Sequence, residues 1–466
     1  MATRYDDLAQ PAQTPTAIPG ASALDRNTMI AWGIGTLGPV TVLTATNALL
    51  LRFLTDKYGL AAGLAASLIA LSKFYDAFAD IAMGVVSDRT RSRWGRRRPY
   101  LILGAVLLAI SIIVIFAPLP FASRQARIIY MGAALLFYAS AYTVFNVPYM
   151  AMAGEMTTQY HQRSQLMRWR VYAVGLSIII ASAAGPKLLD WFGGGAGAYG
   201  KMALVFVPIV IGAGIVAFAG TAHAPSTERS LVHVPLATQI KSAASNRPFV
   251  VLILVKFITL MALGTQSIFP FFFQRILGAP NSVLGSYFFC QSAMFLVAPS
   301  GWLWVSGRFG KKTAFMAALA LSLPAWLSWA LVAHGEPLML IYLRGIVIGA
   351  SGSGVILMGQ SMLPDTMEHD YRRTGLRREG IFAALYTTVE KLSGAIGVAL
   401  VGTILGAYGY VQSLGPAVVQ PDSALWAIRF VMTYVSSAIT ICGMVALAFY
   451  QLDETKMRHQ AGLGPA

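Results

Sequence analysis

The sequence predicts an all-α polytopic membrane protein of twelve transmembrane helices, arranged as two six-helix halves. Three observations predict it. Of 466 residues, 56% are hydrophobic and only 12% charged, whereas soluble domains carry about 25% charged residues. Apolar stretches of about 20 residues, enough to cross a bilayer, recur along the whole chain. The longest internal polar connection falls after the sixth of them, and two-fold repeats of this kind are common in secondary transporters.

Taken in order, span 1 covers roughly 29–51, before Arg52 and Asp56-Lys57. Span 2 is about 62–86, and span 3 about 99–119, closed by Pro118 and Pro120. Spans 4, 5 and 6 are about 128–152, 169–189 and 202–220, with a Gly-rich turn at 193–200. Residues 222–247 form the connection between halves. Spans 7 to 12 follow at about 248–273, 283–305, 313–333, 338–362, 380–407 and 424–450. The halves are thus expected at 29–221 and 248–451. Residues 1–28 read as a disordered tail without the basic-then-apolar pattern of a signal peptide, and 452–466 as a second tail. No lipidation signal is expected. An internal echo supports the division. Span 2 is followed by Ser87-Asp88-Arg89 through Trp94-Gly95-Arg96-Arg97-Arg98, and span 8 by Ser306-Gly307-Arg308-Phe309-Gly310-Lys311-Lys312.

The net charge of +16 does not indicate nucleic acid, because the basic residues sit in short loops between spans. Loops 2–3, 4–5, 6–7, 8–9 and 10–11 hold eighteen Lys and Arg, and the opposite loops six. The positive-inside rule then places both termini in the cytoplasm, and the expected location is the plasma (inner) membrane. Cys290 and Cys442 fall in apolar stretches and read as small buried hydrophobes. No disulfide framework or metal-ligand spacing appears.

Charges on or near the spans narrow the function. They are Lys73, Asp76, Asp80, Arg170, Lys187, Lys256, Arg344, Glu390, Lys391 and Arg429. Lys187 and Arg429 lie near span ends and can snorkel. Asp76 and Asp80 lie in the body of span 2, where a charge needs a reason. They differ by about 40° of helix azimuth, with Lys73 about 60° to the other side, so all three share a face. Neutralising Lys73 is one reason for the pair. A cation site is the better one: two carboxylates one turn apart offer hard oxygens to Na⁺ or Li⁺, and can share a proton. Lys391 on span 11 is expected to pair with them when no cation is bound. Arg170 opens span 5 and suits a bidentate polar substrate, or anchors that helix end. Lys256 and Arg344 are further substrate candidates. Asn146-Val147-Pro148-Tyr149 lies late in span 4, where a proline frees a carbonyl or bends the helix.

Several segments resemble the glycoside–pentoside–hexuronide:cation symporters of the major facilitator superfamily, the family of melibiose permease. They are Tyr75-Asp76-Ala77-Phe78-Ala79-Asp80 through Gly84; Thr90-Arg91-Ser92-Arg93-Trp94-Gly95; Asn146-Val147-Pro148-Tyr149; Tyr160-His161-Gln162-Arg163 through Arg170; Thr374-Gly375 with Arg377-Arg378-Glu379-Gly380-Ile381-Phe382; and Glu390-Lys391-Leu392-Ser393-Gly394. The Ser87–Pro99 run is also similar to plant sucrose carriers and animal lysolipid carriers. The resemblance implies the major facilitator fold. It implies Asp76 and Asp80 as cation ligands, Lys391 as the span-11 lysine near them, and Arg170 as a substrate-binding arginine. Two acids that hold sugar hydroxyls in melibiose permease fall here near Val40 and at Asn146.

The expectation is a transporter, not an enzyme: a Na⁺-, Li⁺- or H⁺-coupled symporter importing a sugar, glycoside or related solute by alternating access. It needs a substrate, a monovalent cation and a bilayer, no cofactor and no nucleic acid, and is expected to function as a monomer. Asn146, Tyr149, Lys256 and Arg344 join Arg170 as substrate candidates, and Lys73 joins Lys391 as a charge partner. Asp88, Arg89, Arg96, Arg97 and Arg98 are expected to latch the cytoplasmic face against Asp365–Glu379. The alternatives are a carrier for an amphiphile such as a lysolipid, a proton-coupled exporter, or an intramembrane enzyme using Asp76 and Asp80 as acids.

Overall fold

The structure is a computed structural model describing residues 24–117, 121, 123–157, 160–224, 243–374, 379–413 and 418–452. Most of the expected terminal tails and of the connection between halves lie outside the described residues. Helices dominate, because a chain in hydrocarbon must satisfy its backbone bonds within each segment. They are α1 (Arg26–Asp56), α2 (Ala62–Arg89), α3 (Pro99–Phe116), α4 (Arg124–Met156), α5 (Gln165–Trp191) and α6 (Ala196–Gly220). Then come α7 (Arg247–Arg275), α8 (Asn281–Val297 with Pro299–Phe309), α9 (Lys311–Leu331), α10 (Leu338–Thr374), α11 (Glu379–Ala407) and α12 (Asp422–Ala448).

Ten of these are long and apolar enough to cross a membrane, and α8, bent by 44°, makes an eleventh. The bend falls where Pro299 removes a backbone donor. Helix α2 is outside that set because Lys73, Asp76 and Asp80 interrupt it. It is 28 residues long, or about 42 Å at 1.5 Å per residue, and with it the count by length is twelve. Local signals start several helices. Ser123 and Asn246 cap α4 and α7 with side-chain oxygens on the amides of Ala126 and Phe249.

Helix α2 packs against α4 on one side and α11 on the other, and α11 packs on α7. Small residues permit these contacts, as is usual between membrane helices. A Cβ added at Gly402 of α11 would lie 2.1 Å from the Ala66 Cβ of α2, and one at Gly397 would lie 2.2 Å from the Met261 carbonyl oxygen of α7. Gly397→Ala is therefore expected to destabilise the protein by about 1–3 kcal/mol. Gly394→Ala, whose Cβ meets nothing within 4 Å, is the control. Detergent unfolding midpoints of the two variants check this.

Two expectations change. Span 1 does not stop before Arg52: the helix runs on to Asp56, and both residues are buried, at 2% and 4% exposure. The physical reason is a set of partners on the other half, described below. Cys442 is exposed, not buried. It shares the outer face of α12 with exposed Ile441 and Val445, a surface that suits lipid; Cys290 is half-buried.

Candidate functional site

Helix geometry places Asp76 and Asp80 one turn apart on the same side of α2, where α4 and α11 meet it. Thr143 of α4 sits between them. Its Oγ1 lies 2.7 Å from Asp76 Oδ1 and 2.9 Å from Asp80 Oδ1. Lys391 of α11 closes the other side. Its Nζ lies 3.0 Å from Asp76 Oδ2 and also bonds Asp80 Oδ2. Asp76 is 4% exposed, and the Asp80 side chain about a third exposed, at 29%. Two acids, one hydroxyl and one ammonium thus form a closed set across the seam where α4 and α11 meet α2. Four carboxylate oxygens and a hydroxyl oxygen can take a small hard cation, and the ammonium occupies the place such a cation would compete for.

The other predicted residues divide. Lys73 joins no ion pair among the described residues; its ammonium lies 5.6 Å from the Tyr138 ring centroid. Arg170 makes no described hydrogen bond or ion pair, and its Nε is buried without a partner. Glu390 directly precedes Lys391 on α11, and Tyr142 directly precedes Thr143 on α4. Asn146 is half-buried on the same helix, three residues beyond Thr143. Lys256 of α7 is buried and bonds Glu390 of α11 at 2.9 Å.

Tyr149 and Arg344 are not brought to the cluster. Tyr149 is 1% exposed and stacks on Trp32 at 4.6 Å; its hydroxyl donates to the Trp32 carbonyl and meets Thr36 Oγ1 at 2.6 Å. It is core of the first half. Arg344 pairs with Glu336 at 2.8 Å, bonds Ser328 Oγ and lies over the Trp329 ring. Those partners sit where α9 ends and α10 begins, a helix end away from the cluster.

Among the described contacts, the arginine loop meets its own half. Arg96 and Arg97 reach Glu155 at the end of α4, at 2.5 and 2.7 Å, and Arg97 also bonds Ser87 Oγ at 2.9 Å. Arg98 donates to the Phe218 carbonyl of α6 at 2.7 Å. Arg89 is exposed. The second half repeats the motif: Lys311 bonds Asp365 of α10 at 2.7 Å. The expected latch partner Asp365 is thus held within its own half. Residues 375–378 of that stretch, and the side chains of Asp88, Thr374 and Glu379, lie outside the described residues.

On the face opposite the arginine loop, side chains do join the two halves. Asp56 Oδ1 accepts from the Tyr410 hydroxyl at 2.7 Å, and its Oδ2 lies 3.4 Å from Arg275. Arg52 donates to Gln274 and Asn281. Asp190 accepts from Asn281 Nδ2 at 2.6 Å and from the Ser282 amide. Burial, then the neighbouring Asp56 charge, pushes the Tyr410 hydroxyl well above its ordinary pKa and keeps it a donor. Burial, then Arg52, lowers that of Lys57.

Thr143, Glu390, Tyr142 and this outer network were missed in the sequence. A threonine one turn before Asn146 on span 4 was the available signal for the first. Glu390 was visible as an intramembrane charge without a role.

A membrane-spanning helical bundle whose charged centre bridges two halves fits a secondary transporter of the major facilitator type. The chain belongs to the family described as MFS/sugar transport protein, whose model matches residues 31–454. It is 28% identical to an uncharacterized symporter of Synechocystis, over 94% of this chain and 97% of that one. It is 25% identical to the isoprimeverose transporter of Lactiplantibacillus pentosus, over 98% and 95%, and 26% identical to a glucuronide carrier protein homolog of Escherichia coli, over 93% and 94%. Among solved structures it resembles a bacterial homolog of the human lysosomal transporter Spinster, with a TM-score of 0.66 at 14% identity, over 93% of this chain and 97% of that one. That likeness concerns the fold.

Proposed function

We propose that the protein is a cation-coupled symporter for a sugar, glycoside or related small solute, with the coupling cation bound between Asp76 and Asp80. The observation that carries this reading is Lys391, which spans both carboxylates from the opposite half. A cation entering there must displace an ammonium, and the displacement loosens a bond between halves. Occupancy thereby biases the equilibrium between two arrangements of the halves, as coupling requires. The arginine-rich face is taken as cytoplasmic, with both termini there, in the plasma or inner membrane. The halves 29–221 and 248–451 rock about the central site. Na⁺, Li⁺ and H⁺ all suit the carboxylate pair, and a single chain holds the whole site. Relatives named for isoprimeverose and glucuronide support a sugar-derived solute.

The test is uptake into proteoliposomes under an imposed Na⁺ or proton gradient, across sugars, glycosides and lysolipids. Gradient-driven entry of a sugar-derived solute supports the reading. Preferred transport of lysolipids, or flux only outward, replaces it with a lipid carrier or an exporter. Thr143→Val removes one hydroxyl from the site at constant shape. The concentration of cation giving half-maximal uptake is expected to rise about tenfold, since a bond to a charged group contributes about 1.5–3 kcal/mol. An unchanged cation requirement would remove Thr143 from the site.

A further inference from the structure

Helix α11 carries Glu390 and Lys391 in succession, about 100° apart around its axis. Lys391 turns to α2 and the cation pair. Glu390 turns to α7 and Lys256. This second pair is lopsided. Lys256 is 5% exposed, with its ammonium 3.0 Å from the Tyr386 ring centroid, while the Glu390 side chain is 51% exposed. The ammonium is walled in; the carboxylate hangs at the edge of a cleft lined by Lys256, Thr259, Phe315, Gln360, Tyr386 and Glu390. A buried ammonium requires an anion. A half-exposed carboxylate is an anion that another acid can replace, because it regains water on leaving.

The charge balance points the same way. The central region holds three carboxylates, Asp76, Asp80 and Glu390, against Lys73, Arg170, Lys256 and Lys391. By formal charge that is four basic groups against three acids, before any coupling cation is added. Arg170 of α5 has a buried Nε with no hydrogen-bond partner among the described residues. Excess charge inside a membrane protein is costly, and a substrate that brings a negative charge relieves it.

We infer that the Lys256–Glu390 cleft is an anion subsite, at which a carboxylate or sulfonate on the transported solute displaces Glu390 and binds Lys256. The inference rests on the symport reading for the transport of that solute, but the binding itself does not depend on coupling. Glu390 then serves as a built-in competitor, as Lys391 does for the cation. One helix would carry both stand-ins, side by side.

Binding to the purified full chain tests this without any gradient, so a failure of symport and a failure of the subsite are read separately. The unfolding midpoint is followed while D-glucuronate, acetate or methanesulfonate is titrated, with D-glucose and chloride at matched ionic strength as controls; a ligand that prefers the native state raises the midpoint. In Glu390→Gln the internal competitor is gone, and the three acids are expected to bind at least tenfold tighter than to wild type, with D-glucose unchanged. Lys256→Gln in the same background is expected to abolish the acid response, and Lys256→Arg to keep it. If Lys256→Gln does not fold, the contrast between wild type and Glu390→Gln decides alone. Equal effects of D-glucose and D-glucuronate, no gain in Glu390→Gln, or an acid response that survives Lys256→Gln overturns the inference.

Discussion

Asp76→Asn is expected to lower gradient-driven uptake at least a hundredfold while the protein still assembles in the membrane. Asp76 is the more buried of the two carboxylates and accepts from both Thr143 and Lys391. Removing its charge leaves one acid to hold either an ammonium or a cation. Breaking a buried ion pair on one side costs about 3–5 kcal/mol, and each 1.4 kcal/mol is a factor of ten in affinity. Asp80→Asn is expected to do less, because Asp80 is partly exposed and water replaces some of what is lost. Lys391→Gln runs the other way for binding. It removes the competitor, so the cation is expected to bind tighter while the gradient no longer drives uptake. Comparing gradient-driven uptake with equilibrium exchange in the three variants separates binding from coupling. Full gradient-driven uptake by Asp76→Asn would end the proposed cation site.

Part of this was legible in the sequence and part was not, for a physical reason. Asp76 and Asp80 are one helical turn apart, so their shared face follows from periodicity alone, and an acid in an apolar helix marks itself. Lys391 marks itself likewise, and the seam joining it to α2 follows once both are given to one site. Helix spans follow from hydropathy, because bilayer thickness sets their length. What hydropathy cannot give is the partner. Arg52 and Asp56 look like the polar end of a span, yet they are buried because Gln274, Arg275, Asn281 and Tyr410, more than two hundred residues later, come to meet them. Arg344 looks like a central charge, yet Glu336, eight residues before it, holds it. Tyr149 stands in a motif beside Asn146, yet its hydroxyl is consumed by Thr36 and the Trp32 carbonyl. In each case the side chain's role depends on a tertiary neighbour that no local pattern encodes.

Asp56→Asn is expected to swing the conformational balance away from the state closed on the face opposite the arginine loop. The carboxylate receives the Tyr410 hydroxyl and lies near Arg275 and Arg52, at 3.4 and 3.9 Å. Without its charge, the mostly buried guanidiniums of Arg52 and Arg275 lose the carboxylate they share. The cost, again about 3–5 kcal/mol, falls on this arrangement alone, because separated halves return these groups to water. A shift of that size changes the ratio of two states by about 10² to 10³. A charged seal suits a transporter better than an apolar one for the same reason. Its groups are re-solvated when it opens, so the net difference between closed and open stays small enough for substrate and cation to tip. Spin labels at exposed Trp191 and Val419, one on each half, in a background lacking Cys290 and Cys442, read the distance across that face. Asp56→Asn is expected to move the distribution to longer distances. Tyr410→Phe, which removes one hydrogen bond and no charge, is expected to move it less. An unchanged distribution in Asp56→Asn would show that the apolar contacts between α2 and α11 hold that face closed and that the charges merely decorate it.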